Sequence, residues 1–316
     1  MNELRWHPFL RQWVAVATHR QDRPQMPADW CPFCPGSGRV PDHYDVLLYP
    51  NDFPAFSPDA PPFDPEPCLF RTTGARGFCD VVLYSPSHTT WPSQIPPEHW
   101  SKVIELWTHR TRELFAAPDV QYVMVFENTG EAIGVTMPHP HGQIYAFPFI
   151  PPLVDVEVRS QADYLRDCGR CLHCDVLARE LSDNVRIVAH NDTFVAYAPF
   201  AARFPSEVHI VPRRHFGTLM NLEHRETTDL ASLLSIIRRK YDNLYGFLMP
   251  LMMVLRQAPA TGDHSYFHFE LQFLPLQRSP NKLKYLASVE TAGGTYLADT
   301  LPEERAEALR KAEPVS

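Results

Sequence analysis

The order of chemically distinctive residues in this chain occurs twice, and that repetition constrains the fold more than any other feature. In the first half, Cys31-x-x-Cys34 is followed by His88 at the end of DVVLYSPSH. A helix-patterned run from Pro97 to about Ala117 comes next, then VQYVMVFEN, then His139-Pro140-His141-Gly142-Gln143. In the second half, Cys171-x-x-Cys174 is followed by His215 at the end of EVHIVPRRH, a helical run from Glu223 to about Tyr245, LMPLMMVLRQ, and His268-Phe269-Glu270-Leu271-Gln272. Successive gaps are 54, 51 and 2 residues in the first half, and 41, 53 and 2 in the second. Trp100, Val103, Ile104, Trp107 and Leu114 fall on one helical stripe, as do Leu230, Leu233, Leu234, Ile237 and Tyr241. DVVLYS, QYVMVF, EVHIVP and FHFELQF are short and rich in β-branched or aromatic residues, which predicts strands. The expected fold is therefore α+β, with two tandem units over residues 1–155 and 156–316, each an antiparallel sheet with a packed helix. They join near Pro151 to Ala162, and the proline-rich stretch from Arg39 to Pro67 is expected to be an ordered loop.

Composition narrows the function. Of 316 residues, 44% are apolar and 21% charged, enough for a buried core. No stretch approaches the roughly 18 consecutive apolar residues of a spanning helix, and MNELRWHPFL carries charge early, so a non-secreted, cytoplasmic protein is expected. A net charge of -8 argues against a nucleic-acid partner held through its phosphates. The 7 cysteines point to a reducing compartment, where clustered thiols serve metals more often than disulfides.

A CxxC turn supplies two thiolates to one tetrahedral metal but is only half a site; a redox pair or two buried small residues would look the same. Residues i and i+2 of a strand share a face, so His139 and His141 are expected to point into one cleft. One of the two can complete Cys31, Cys34 and His88 as a closed Cys2His2 set, the arrangement of a structural zinc. The other is then free as a nucleophile or base. Pro140 stiffens the pair, and Gly142 is expected to let a ligand approach the main chain. Cys171, Cys174, His215 and His268 offer a second possible metal set, with ordinary thiols as the alternative. Glu270 stands where the first half has a histidine, so this half lacks the nucleophile. Cys68 and Cys79 read as core or surface thiols.

With HPHGQ, WCPFCPG, NDFPAF, ARGFCDVVLYSPSH, FENTGEAIGVTMPHPHGQIYAFPF and KLKYLASVE in hand, the chain resembles the galactose-1-phosphate uridylyltransferases, a histidine-triad branch built from two such units. The resemblance implies that His141 attacks the α-phosphorus of UDP-glucose and that a hexose 1-phosphate discharges the uridylyl-histidine. It implies that Gln143 bonds the transferred phosphoryl group, and that His139 is the fourth zinc ligand. Arg20 and Arg23 match phosphate-binding arginines, Asn51, Asp52 and Phe53 a nucleoside-binding segment, and Asn128, Gly130 and Thr136 the approach to the diphosphate. Lys284, Tyr285 and Glu290 match positions meeting the hexose phosphate, and Arg76 belongs loosely to substrate or interface. A homodimer with shared active sites is implied as well. The C-terminal half departs from the family: Glu180 fits its metal-binding glutamate, but an expected histidine is replaced within VLRQAP. Relatives acting on ADP-sugars or dinucleoside polyphosphates favour serine at the position of Gly142. Those reactions, hydrolysis, and a non-catalytic zinc-stabilised nucleotide-binding protein are the competing functions.

Overall fold

A computed structural model describes residues 2–23, 30–61 and 69–313. Cys68 lies outside the described residues. Strands β1 (Asn2–His7) and β2 (Gln12–Ala17) form a hairpin, and β3 (Leu47–Pro50), β4 (Thr72–Gly74) and β5 (Phe78–Leu83) precede helix α1 (Pro97–Phe115). Then follow β6 (Tyr122–Thr129), β7 (His141–Phe147), α2 (Pro152–Cys168), α3 (Leu172–Asp183), β8 (Ile187–His190), β9 (Phe194–Tyr197) and β10 (Val208–Pro212). Helix α4 (His224–Tyr245), β11 (Leu251–Arg256), β12 (Glu270–Pro275), β13 (Gln277–Ser279), β14 (Lys282–Leu283), α5 (Ser288–Thr291) and α6 (Pro302–Lys311) complete the chain.

The α+β class and the duplicated plan are both observed. Nine strands form one antiparallel sheet in the order β3-β5-β7-β6-β11-β12-β10-β9-β8. The half-sheets meet edge to edge where β6 pairs with β11, Val254 opposite Phe126 and Met253 opposite Glu127. Outward from that seam β6, β7, β5 and β3 correspond to β11, β12, β10 and β9, and β8 is an additional edge strand of the second half. Phe126, Gln143, Val81 and Tyr49 form one cross-strand row, and Val254, Gln272, His209 and Tyr197 the corresponding one. Joining the halves this way removes two exposed sheet edges, each a row of unpaired backbone groups.

Both helical stripes are buried as expected. Trp100, Val103, Ile104, Trp107 and Leu114 of α1, and Leu230, Leu233, Leu234, Ile237 and Tyr241 of α4, enter one core with Val125, Ile144, Val208 and Leu271 of the sheet. Pro97 starts α1, where its missing N–H would be unpaired anyway. Gly246, at φ 77°, ends α4 in the left-handed conformation that glycine adopts without a Cβ clash.

One expectation needs correction. The stretch read as loop from Arg39 to Pro67 contains β3, whose Leu47 and Tyr49 pair with Leu83 and Val81. Pro50 ends β3, which is the edge strand of the sheet, where no further ladder donor is required, and Pro62, Pro65 and Pro67 lie outside the described residues. The junction between the halves, near Pro151 to Ala162, is helical, as part of α2. The small sheet β2-β1-β4 lies apart from the large one, and its Leu4 packs with Phe56, Ala75 and Cys79. Cys79 is thus a core thiol, its sulfur accepting from Phe56 N at 3.4 Å.

Candidate active site and metal centres

The first Cys2His2 set assembles as the sequence led us to expect. The donor atoms of Cys31, Cys34, His88 and His139 all lie within 4.8 Å of one another. His139 Nδ1 stands 3.7 Å from both sulfurs, and His88 Nδ1 3.5 Å from Cys34 Sγ. A tetrahedral zinc with ordinary Zn–S and Zn–N bonds spaces its sulfur and nitrogen ligands by roughly 3.5 Å, so the set fits such an ion. His139 Nε2 donates to the Ser85 carbonyl at 2.7 Å, which leaves the Nδ1 lone pair facing the thiols. Burial keeps that imidazole neutral, its pKa pushed down to about 4, and pushes the Cys31 thiol up to about 11. A cation would have to displace the thiol protons as it binds.

The second set, Cys171, Cys174, His215 and His268, assembles in the same way. His268 Nδ1 lies 3.6 and 3.5 Å from the two sulfurs, and its Nε2 donates to Pro212 O at 3.0 Å. His215 Nε2 donates to Ser265 O at 2.8 Å. Glu180 is not among these donors. Its carboxylate accepts from Arg186 Nε at 2.9 Å, and both side chains are buried, so the glutamate matched to a C-terminal metal is engaged elsewhere.

His141 opens β7, while His139 lies in the bend just before it, so the two do not share a strand as expected. The bend nevertheless places His139 O to accept from His141 Nδ1 at 2.7 Å, which leaves Nε2 as the free ring nitrogen. Burial lowers the His141 pKa, so the ring is neutral and nucleophilic near pH 7. Phe33, between the first two thiols, sets its ring 5.7 Å from that imidazole. The bare CxxC spacing carried no sign of this second role for the residue between the cysteines.

Gly142 has a different reason from the one its sequence context suggested. A Cβ there would lie 2.0 Å from the Tyr84 hydroxyl and 2.8 Å from its Cζ, so a buried tyrosine makes the close approach. Gly130, at φ 88°, lies against Pro250, and a Cβ there would stand only 3.1 Å from that backbone, so it packs one half on the other.

His141 borders two cavities. One is lined by Arg23, Asn51, Asp52, Phe53 and Thr136, five of the expected substrate residues, together with Gln143. Arg23 Nη2 donates to Thr136 Oγ1 at 3.1 Å, Arg20 Nη1 to Phe53 O at 2.8 Å, and Arg39 Nη2 to Asp52 Oδ1 at 2.6 Å. Tyr49, which the motifs did not flag, also lines this cavity, and its hydroxyl donates to Asp52. The other cavity contains Asn128, Gly130 and His139. Lys284, Tyr285 and Glu290 are not at either. Lys284 Nζ bonds Glu290 Oε1 at 3.1 Å and Leu297 O at 2.6 Å, and Tyr285 is 75% exposed. Arg76 pairs with Asp119 at 3.7 Å, away from both cavities.

A family model described as the galactose-1-phosphate uridyl transferase N-terminal domain matches residues 1–151, and its C-terminal partner matches residues 157–315. The chain belongs to the galactose-1-phosphate uridyl transferase family. Within it, the galactose-1-phosphate uridylyltransferase of Thermotoga maritima is 38% identical, over 99% of each chain. A solved structure of a uridylyltransferase superposes with TM-score 0.91 at 33% identity, over 98% of each chain. A crystal structure of an ADP-glucose phosphorylase from Arabidopsis thaliana superposes less closely, with TM-score 0.78 at 25% identity.

The C-terminal half of this family member has no equivalent of the free imidazole. Glu270, at the place of His141, takes His209 Nδ1 at 2.9 Å and Gln272 Nε2 at 2.7 Å. The other His209 nitrogen meets Glu207 at 2.9 Å. Burial alone would lower the His209 pKa, but the Glu270 and Glu207 carboxylates outweigh it and push it up to about 10. Among the described residues, no helix is long and apolar enough to cross a membrane.

Proposed function

We propose that this family member transfers the uridylyl group between UDP-glucose and galactose 1-phosphate, in galactose metabolism, through a covalent intermediate on His141. The observation that carries the mechanism is the His141 imidazole itself. Its Nδ1–H is held by the His139 carbonyl, and its Nε2 is free beside a cavity lined by Arg23, Asn51 and Gln143. Nε2 attacks the α-phosphorus, the bond to the bridging oxygen breaks, and glucose 1-phosphate leaves. A phosphate oxygen of galactose 1-phosphate then attacks the same phosphorus, the P–N bond breaks, and UDP-galactose departs with the imidazole regenerated. Splitting the transfer into two displacements gives ping-pong kinetics. The Gln143 amide bonds a phosphoryl oxygen, Arg20 and Arg23 offset charge, and Asn51, Asp52 and Phe53 receive the nucleoside, with Asn128, Gly130 and Thr136 bordering the diphosphate.

Cys31, Cys34, His88 and His139 would hold a zinc ion that stabilises the fold, and Cys171, Cys174, His215 and His268 a second. The first group does its work by fixing the bend whose carbonyl orients His141. We further infer two units spanning residues 1–155 and 156–316, a cytoplasmic homodimer, and a segment Lys284 to Glu290 that serves the partner's site, with Tyr285 among its exposed residues.

Intact-mass spectrometry after incubation with UDP-glucose or ADP-glucose tests the reaction. The expected result is a uridylyl-sized adduct from UDP-glucose, absent in a folded His141→Ala variant and discharged by galactose 1-phosphate. An adenylyl adduct from ADP-glucose alone would overturn the substrate assignment. No adduct from either donor would overturn the nucleophile.

A further inference from the structure

The three segments that carry the first Cys2His2 set come together at one phenol. Tyr44 lies just ahead of β3 and is half-buried against Phe33, Val40, Leu83 and Met137. Its hydroxyl oxygen stands 2.7 Å from Phe33 O, which lies between Cys31 and Cys34. The same oxygen is 3.1 Å from Ser85 O, three residues ahead of His88, and 3.1 Å from Nε2 of His139. The CxxC turn, the strand end that leads to His88 and the bend that holds His139 thus meet at a single polar atom.

Counting protons fixes the roles of these atoms. The phenol has one proton, and the carbonyls of Phe33 and Ser85 can only accept. The shortest contact, to Phe33 O, takes the phenol proton. Tyr44 then has none to give to His139 Nε2, and Ser85 O, 2.7 Å from the same nitrogen, can give none either. A bare Nε2 lone pair would face two oxygens with no proton between them, an arrangement that costs free energy in a site screened from water. The ring therefore carries its proton on Nε2, shared between Ser85 O and the Tyr44 oxygen in a three-centre bond. Nδ1, 3.7 Å from both sulfurs, is left as the donor to a metal. The second set offers a comparison inside the same chain. His268 Nε2 reaches the Pro212 carbonyl at 3.0 Å, but no hydroxyl joins it among the described residues.

We propose that Tyr44 is the positioning residue of the first metal centre: its hydroxyl locks His139 in the ligating tautomer and ties the CxxC turn to both histidine segments. A divalent ion then meets donors that are already aligned. Because the His139 carbonyl also holds Nδ1 of His141, this hydroxyl supports the residue on which the nucleophile leans. The inference rests on the reading of Cys31, Cys34, His88 and His139 as zinc ligands.

Competition between the intact protein and a chromophoric zinc chelator tests the role without turnover. Tyr44→Phe, which keeps the ring, is expected to weaken one of the two zinc equivalents by about ten- to hundredfold. Tyr44→Leu is expected to weaken the same equivalent to a similar degree, since the hydroxyl and not the ring carries the effect. In a Cys31→Ser background, which retains only the second set, Tyr44→Phe is expected to change zinc affinity less than about twofold. Wild-type affinity at both sites in Tyr44→Phe would overturn the proposal, even if Tyr44→Leu lost zinc, because ring packing would then be the cause. Equal weakening of both equivalents would overturn it as well, since that reports a general loosening of the fold. Failure of the metal reading shows separately, as a Cys31→Ser protein that still binds as much zinc as wild type.

Discussion

Placing a single methyl group on Gly142 tests the packing beneath the nucleophile. A Cβ at Gly142 falls 2.0 Å from the Tyr84 hydroxyl, 2.8 Å from Cζ and 3.1 Å from the Phe126 carbonyl. To reach ordinary contact near 3.4 Å the hydroxyl would have to retreat by about 1.4 Å. Tyr84 has no room to do so: it is fully buried, with its ring 5.1 Å from Trp100 and 6.0 Å from Trp107. Overpacking of a rigid core costs about 1–3 kcal/mol, and two contacts below 3.0 Å place Gly142→Ala at the upper end of that range. Tyr84→Phe removes the worst contact, and because that hydroxyl has no hydrogen-bond partner among the described residues, the substitution alone is expected to be neutral or slightly stabilising. The double variant should recover part of the loss but not all of it, since the 2.8 Å contact to Cζ remains. Urea unfolding of the four proteins gives the coupling energy directly. If Gly142→Ala unfolds at the wild-type urea concentration, or if Tyr84→Phe brings no relief, the steric reasoning is wrong.

Three further outcomes follow from the geometry. Cys31→Ser should lower bound metal from two equivalents to one in elemental analysis and reduce the unfolding midpoint, because a closed metal site contributes folding free energy; two equivalents at unchanged stability would exclude this ligand set. Arg238→Ala leaves the Glu127 carboxylate buried without its partner and should cost about 3–5 kcal/mol in urea unfolding, whereas a loss under about 1 kcal/mol would show that the seam does not depend on the pair. His209 has a folded-state pKa of about 10, above its unfolded value near 6.5, so its charge stabilises the fold fully below about pH 6.5 and progressively less up to pH 10. The stability advantage of wild type over His209→Gln should therefore shrink from pH 6 to pH 10, and a constant difference would contradict the assignment.

Much of the site was legible because its signals are local or recur at short spacing. The CxxC pairs, the HxHxQ element and the two amphipathic stripes each depend on residues a few positions apart, where backbone geometry alone sets which side chains meet. Their repetition in the same order identified both Cys2His2 sets, although each draws ligands from about a hundred residues of chain. What remained hidden depends on contacts between distant segments. Tyr49 reaches the cavity because β3 pairs with β5, a strand that proline-rich surroundings concealed. Glu180, a plausible ligand by motif, is claimed by Arg186, and Lys284 is claimed by Glu290.

The sequence alone thus pointed to the duplicated α+β plan, to two groups of cysteines and histidines that could hold a metal, and to the half that carries the histidine pair, since residue identity and periodicity are properties of the chain. Only the tertiary structure decided that the halves share one sheet through β6 and β11, that Gly142 answers to Tyr84, and that His141 borders two cavities. Those features arise from register across the seam and from close packing, in which the space left to each side chain is set by neighbours far away in sequence.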